Sequence, residues 1–135
     1  MKATLQISRV ENCNEWLETV ADQYTNMQSI SWYIDQIGTL VKSFAFINNQ
    51  MAVAKEILLK NKQQAYFMLM ADSKKNGIMM SPSLAKDYIS TAIAEHQYNF
   101  DICDRTRSTL DLTIEALRSC LAALRSEMTL TRTTF

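Results

Sequence analysis

The stretch ISTAIAEHQYNFDICDRTRSTLDLTIEALRSCLAALRSEM, residues 89–128, decides how this chain folds. Positions spaced alternately by four and three read Ile89, Ile93, His96, Phe100, Cys103, Arg107, Leu110, Ile114, Leu117, Leu121, Leu124 and Met128. Such a repeat keeps its apolar members on one side of an α-helix, so the stretch predicts a helical seam. His96 and Arg107 are its polar interruptions, and both lie in the first half. From Leu110 through Ile114, Leu117, Leu121 and Leu124 the seam is dry.

The second helix is read from its own stripe. Tyr33, Ile37, Leu40, Phe44, Ile47, Met51, Ala54, Leu58, Ala65 and Met68 recur at matching spacing, opened by a cap at Ser29 or Ser31 and running to about Ala71. Trp32, Ile34, Val41, Phe46, Val53, Ile57 and Leu59 spread apolar character beyond that stripe, which predicts contact with more than one neighbour. Gly38 weakens the helix and marks an expected close helix approach.

Ser73-Lys74-Lys75-Asn76-Gly77 is the sharpest break, because Asn and Gly tolerate a left-handed backbone and Gly commonly ends helices. Ser81-Pro82 then opens the last helix, the serine capping it and the proline sitting where no N–H is needed. The unbroken phase across Asn99–Asp104 predicts one helix to Met128, with a possible bend there. Toward the N-terminus, Leu5 and Ile7 alternate with polar residues as in an extended arm. Asn12 or Asn14 can cap a short first helix through Trp16, Leu17, Val20 and Tyr24.

The expected fold is therefore all-α. A long antiparallel helical hairpin carries an additional N-terminal helix, and oligomerisation completes the bundle. One domain spans 1–135, divided into an arm at 1–11, a helical core at 12–128 and a flexible tail at 129–135. Two glycines and one proline in 135 residues are too few turn formers for a sheet-rich fold. A thin hairpin hides little apolar surface, so a homo-oligomer is expected.

Lys and Arg balance Asp and Glu at 14 each, so net charge singles out no partner. The distribution does more. Up to Asp35 acids predominate, whereas Lys42, Lys55, Lys60, Lys62, Lys74 and Lys75 face only Glu56 and Asp72. At about 100° per residue, Lys55, Lys62 and Tyr66 share one side of the second helix, and Lys42 and Lys60 look elsewhere. Cations beside an aromatic ring are the minimum equipment for following a phosphate backbone and stacking a base. Lys74 and Lys75 extend the set, although lysines on a helix ordinarily serve solubility alone.

No catalytic constellation is present in the sequence. His96 is the lone histidine, and with Cys103 two turns away it cannot close a zinc site. Neither a CxxC, an HExxH nor a glycine-rich phosphate loop occurs, so no metal or cofactor is expected. Cys13, Cys103 and Cys120 are odd in number and read as reduced thiols of a cytoplasmic protein, in a host cytoplasm if the source is viral. No apolar run approaches the ~20 residues of a membrane span. Arg107 either fixes register through a partner such as Asp104 or Asp111, or packs its stem and sends its head to water. The eight methionines read as core and interface filling, or as an adaptable binding surface.

The order of these features resembles the recombination mediator protein of T4-like phages. The long helix ending in Lys60-Asn61-Lys62-Gln63-Gln64-Ala65-Tyr66, the glycine-containing break, Tyr88-Ile89 and the long closing helix carry the similarity, over about Ile30 to Met128. The family's basic Lys-x-Arg pair would correspond to Lys60 and Lys62. Its Tyr-Tyr-x-Gly stretch is not kept, since the chain reads Tyr66-Phe67-Met68-Leu69. The resemblance implies a homo-oligomeric, non-enzymatic protein that binds single-stranded DNA, displaces a single-strand-binding protein and helps load a recombinase. The alternative on the residues alone is a helical scaffold, adaptor or virion component acting through protein contacts.

Overall fold

The computed structural model describes residues 4–77 and 80–133, and side chains as far as residue 130. Among the described residues four helices follow in order: α1 (Ile7–Tyr24), α2 (Ile30–Asn76), α3 (Pro82–Ala92) and α4 (Ala94–Thr133). No strand occurs among the described residues. At 1.5 Å per residue, the 47 residues of α2 make a rod of about 70 Å, against about 27 Å for the 18 of α1. That difference in length governs what is covered and what is not.

Local chemistry sets most of the helix ends. The Ser29 hydroxyl accepts from the Trp32 N–H at 3.1 Å and starts α2. Gly77, at φ 64°, closes it in the left-handed conformation that a side chain would resist. Ser81 accepts from the Leu84 N–H at 3.2 Å to start α3, with Pro82 in the first turn.

The first helix begins where an extended arm is expected. Gln6, which offers no side-chain cap, precedes it, and the segment is held instead by Gln50 of α2. Gln50 is 1% exposed; its Oε1 accepts from the Gln6 N–H at 2.6 Å and its Nε2 donates to the Thr4 carbonyl at 3.0 Å. A tertiary clamp thus replaces the Asn12 or Asn14 cap, and residues 7–11 are helical instead of an arm. The last helix likewise continues to Thr133 through most of the expected tail, whose final residues 134–135 lie outside those described.

The interruption of the long C-terminal segment falls at Ile93, not near Asn99–Asp104. Ile93 sits at φ −105°, ψ 7° while its N–H still bonds to the Ile89 carbonyl, and its own carbonyl accepts from Gln97 at 2.8 Å. Most of the hydrogen-bond ladder survives, which is why the heptad phase passes through undisturbed.

The core is built where three helices meet. Val10, Leu17 and Val20 of α1, Tyr33, Leu40, Ile47 and Ala54 of α2, and Ile102, Cys103, Leu110, Ile114, Leu117 and Leu121 of α4 form one buried cluster. The start of α2 lies against the end of α4: Ile34 and Ile37 share a groove with Leu121 and Arg125. Leu110 and Leu117 are wholly buried, Leu124 half-buried, and Met128 exposed. Because α4 meets both α1 and α2, its buried face is wider than one seam and includes Thr106 and Thr113. Their hydroxyls donate to the Ile102 and Thr109 carbonyls, each at 2.7 Å, which satisfies them inside the core.

Two expectations on α2 are corrected. Beyond Ala65 the buried position is Leu69, while Met68 is 54% exposed, because the contact line drifts around so long a helix. Gly38 is exposed, and a Cβ placed there meets nothing within 4 Å, so it marks no close approach.

Candidate nucleic-acid interface

The cations proposed from the sequence all lie on the exposed surface of α2, but not together. Lys55, Lys62 and Tyr66 follow one flank by helical spacing, with exposed Leu59 between them. Lys60 stands on another flank, paired with Glu56 at 3.2 Å. Half or more of each of these side chains is in water, so the pair is worth a few tenths of a kcal/mol and leaves Lys60 able to exchange partners. Lys74 and Lys75 occupy the last turn, where positive charge favours the carboxyl end of the helix dipole.

Aromatic surface accompanies these lysines. Tyr66 and Phe67 are 49% and 61% exposed, with ring centroids 6.4 Å apart in an edge contact. Successive helix positions are about 100° apart, so the two residues stand on different flanks. Phe67, Gln64 and Lys60 line a shallow groove of about 430 Å³ with Met68 and Ala71. A second groove, about 450 Å³, meets it at Lys60 and runs past Val53 and Ile57 to Leu5.

Of the seam residues, Leu110, Ile114, Leu117 and Leu121 fall inside the chain's own core and Leu124 packs half-buried against it, whereas Arg107 stands apart. That residue is half-buried and pairs with Asp104 of the same helix at 3.4 Å, while its Nε is buried without an acceptor. Of its two readings, the local partner is what the structure contains. His96 is half-buried, and among the described residues no three His, Cys, Asp or Glu side chains converge on a metal position. All three cysteines are free, and burial pushes the Cys103 thiol up to about 11, which keeps it protonated and unreactive at neutral pH. No helix among the described residues is long and apolar enough to cross a membrane.

The sequence reading missed the groove between α1 and α2. Arg9, Asn12, Cys13 and Trp16 supply one wall, and Thr39, Lys42, Ser43 and Phe46 the other. It encloses about 490 Å³. Each wall follows the spacing i, i+3, i+4, i+7, which was visible in the sequence, but which walls face each other is set by the tertiary packing of α1. Burial raises the Cys13 thiol, and a hydrogen bond with Ser43 partly opposes that shift.

Compared with known protein families, with curated proteins and with solved structures, the chain matches none.

Proposed function

We propose that this is a non-enzymatic, cytoplasmic accessory protein that binds single-stranded DNA and assists recombinase loading, in the manner of the phage recombination mediators its layout resembles. In this reading α2 and the α3–α4 segment form an antiparallel hairpin, and copies of the chain assemble into a homo-oligomer. The observation that carries it is the exposed Tyr66–Phe67 pair among lysines, on the part of α2 that lies past the end of α1. Rings with free faces next to mobile cations suit sequence-tolerant stacking and phosphate contact. The exposed side chains of Phe67, Met68 and Met70 supply apolar surface for assembly.

The test is binding of a labelled oligothymidylate across a salt series, with the assembly mass measured by light scattering. Affinity should fall by about 0.7 log unit per log unit of salt for each phosphate contact. Lys62→Glu should weaken binding and flatten that slope, and Tyr66→Ala should cost about 1–3 kcal/mol through lost stacking. Lys86→Glu, on α3, serves as the control. Absence of binding at low salt, or equal loss in the Lys62 and Lys86 variants, sinks the DNA reading.

The second reading, a scaffold or adaptor acting through protein contacts, is favoured by one observation. Leu59, Phe67, Met68 and Met70 expose apolar area on every flank of the same segment, more than phosphate binding requires. It predicts that assembly or partner capture survives Lys62→Glu and is lost on Phe67→Glu.

A further inference from the structure

The groove between α1 and α2 carries chemistry that nothing in the interface proposed at the tip of the molecule, the part of α2 from Lys55 to Lys75, uses. Its cations come one from each helix. Arg9 is already oriented: its guanidinium centre stands 4.2 Å from the centroid of the Phe46 ring, and its NH1 donates to Gln6 Oε1 at 2.9 Å. Stacking and that one bond fix the plane of the fork, and among the described residues the Nε and NH2 donors make no bond. Lys42, from the facing wall, is exposed and has no ion-pair partner among the described residues.

The acids of α1 do not cancel this charge. Glu11 and Glu18 lie on the side of α1 opposite the groove by helical spacing and Glu15 lies on its flank, and none of the three lines the groove. On α2 the carboxylate nearest in phase is Asp35, one turn before Thr39, and it does not line the groove. The groove therefore offers two cations, of which one is preorganised, without a lining carboxylate.

Its remaining surface is aromatic and hydrogen-bonding. Trp16 and Phe46 are half-buried, so each is held in place while presenting part of its ring. Asn12 contributes an amide, and the Thr39 hydroxyl, which donates to the Asp35 carbonyl at 3.1 Å, has lone pairs left to accept. From Arg9 to Trp16 the wall is about 10 Å long. The volume of about 490 Å³ lies in the range of small-ligand sites.

We infer that this groove binds one nucleotide unit, with its phosphate between Arg9 and Lys42 and its base against Trp16. A planar fork and an ammonium suit a phosphate better than a single carboxylate, because phosphate has oxygens for both. A flat ring is the ligand part that uses an indole face at the other end. The unit can belong to a free nucleotide or to a single-stranded nucleic acid. The ligand class follows from the groove's own residues, so the inference stands apart from the tip interface and fails or survives separately.

The chain has two tryptophans, and Trp32→Phe leaves Trp16 as the sole reporter. Its fluorescence is titrated with thymidine monophosphate and with an oligothymidylate at low salt. The expected result is a saturable change with at least one of them, weakened about tenfold by Lys42→Gln and by Arg9→Gln, as loss of a charge-assisted bond to phosphate requires. Lys42 is exposed, so its variant keeps the fold even if Arg9→Gln loosens α1. A response to the monophosphate that Lys62→Glu leaves unchanged identifies the free nucleotide as a ligand; a response to the oligomer alone identifies the strand. No saturable change with either titrant overturns the inference, as does undiminished binding in Lys42→Gln. Oligomer binding lost in Lys62→Glu but intact in Lys42→Gln sinks the groove and spares the tip, and the reverse pattern sinks the tip and spares the groove.

Discussion

Gln50 ties the start of α1 to α2, and three substitutions there separate the reasons. It is 1% exposed, accepts from the Gln6 N–H at 2.6 Å and donates to the Thr4 carbonyl at 3.0 Å. Gln50→Ala removes both hydrogen bonds, each worth about 1 kcal/mol net, and leaves a small cavity worth about another. Thr4 and Gln6 are themselves exposed, so their freed backbone groups regain water and add little penalty. The sum is about 2–3 kcal/mol. Gln50→Met keeps the volume and should cost less, about 1–2 kcal/mol, because both hydrogen bonds are lost but the site stays filled.

Gln50→Glu is the sharper experiment. A carboxylate still accepts from Gln6 but cannot donate to Thr4, and it places an unpaired charge in the core, at a cost of about 3 kcal/mol or more at pH 7. Its folded pKa is therefore raised above the unfolded value of about 4.3. Stability is penalised above that value and returns as pH falls, since the protonated acid again has a donor. Urea unfolding at pH 7 and at about pH 5 reads this directly, and amide exchange of Arg9 and Val10, whose N–H groups bond to the Gln6 carbonyl, reports fraying of the first turn of α1. If Gln50→Glu is as stable as wild type at pH 7, or if Gln50→Ala costs under about 0.5 kcal/mol, the clamp does not hold α1.

Gly38→Ala should stabilise the protein by about 0.5–1 kcal/mol in thermal or urea unfolding, because the new methyl meets open space and the helix gains propensity. Leu117→Ala, at a wholly buried position in the three-helix core, should cost about 2–5 kcal/mol in the same assay; a loss under about 1 kcal/mol would mean that Leu117 does not belong to the core. Burial holds the Cys103 pKa at about 11 against an ordinary 9.0, so its contribution is intact below pH 9.0 and is lost as pH rises through about 11. That loss is on the order of 2 kcal/mol, and Cys103→Ala should shrink the alkaline decline measured by urea unfolding over the same window.

The parts of the fold legible in the sequence are those set by chemistry within one turn. Ser29, Ser81-Pro82 and Gly77 act on their immediate neighbours, so their roles could be read directly. The start of α1 could not, because Gln6 is a poor cap and its partner Gln50 lies 44 residues away. The break at Ile93 was hidden for the opposite reason: it preserves phase, so the apolar repeat registers nothing. At the candidate interface, the flank shared by Lys55, Lys62 and Tyr66 followed from helical angles alone, whereas the groove of Arg9, Trp16 and Lys42 required the register between α1 and α2. Gly38 shows the limit of composition, since an isolated glycine in a helix reads the same whether a neighbour presses on it or water does.

The mismatch between helix lengths connects the two candidate surfaces. On α2 the face that begins with Lys42 and Phe46 under α1 continues, at spacings of three and four, through Asn49, Val53, Ile57, Lys60 and Gln64 to Phe67 and Ala71. The three grooves follow that face in turn, the first between Arg9 and Lys42, the second from Leu5 to Lys60, the third from Lys60 to Ala71. Were α1 as long as α2, the outer two would be filled by its side chains. Because α1 starts beside Gln50, one helix face carries cations at Lys42 and Lys60 and rings at Phe46 and Phe67 in the same alternating order. A single-stranded nucleic acid that enters the α1–α2 groove would therefore be led past Lys60 and Phe67, and not past Lys55, Lys62 and Tyr66. Lys60→Gln and Lys62→Gln remove the same charge two residues apart on different flanks, and the larger loss of affinity between them tells which side of α2 the strand follows.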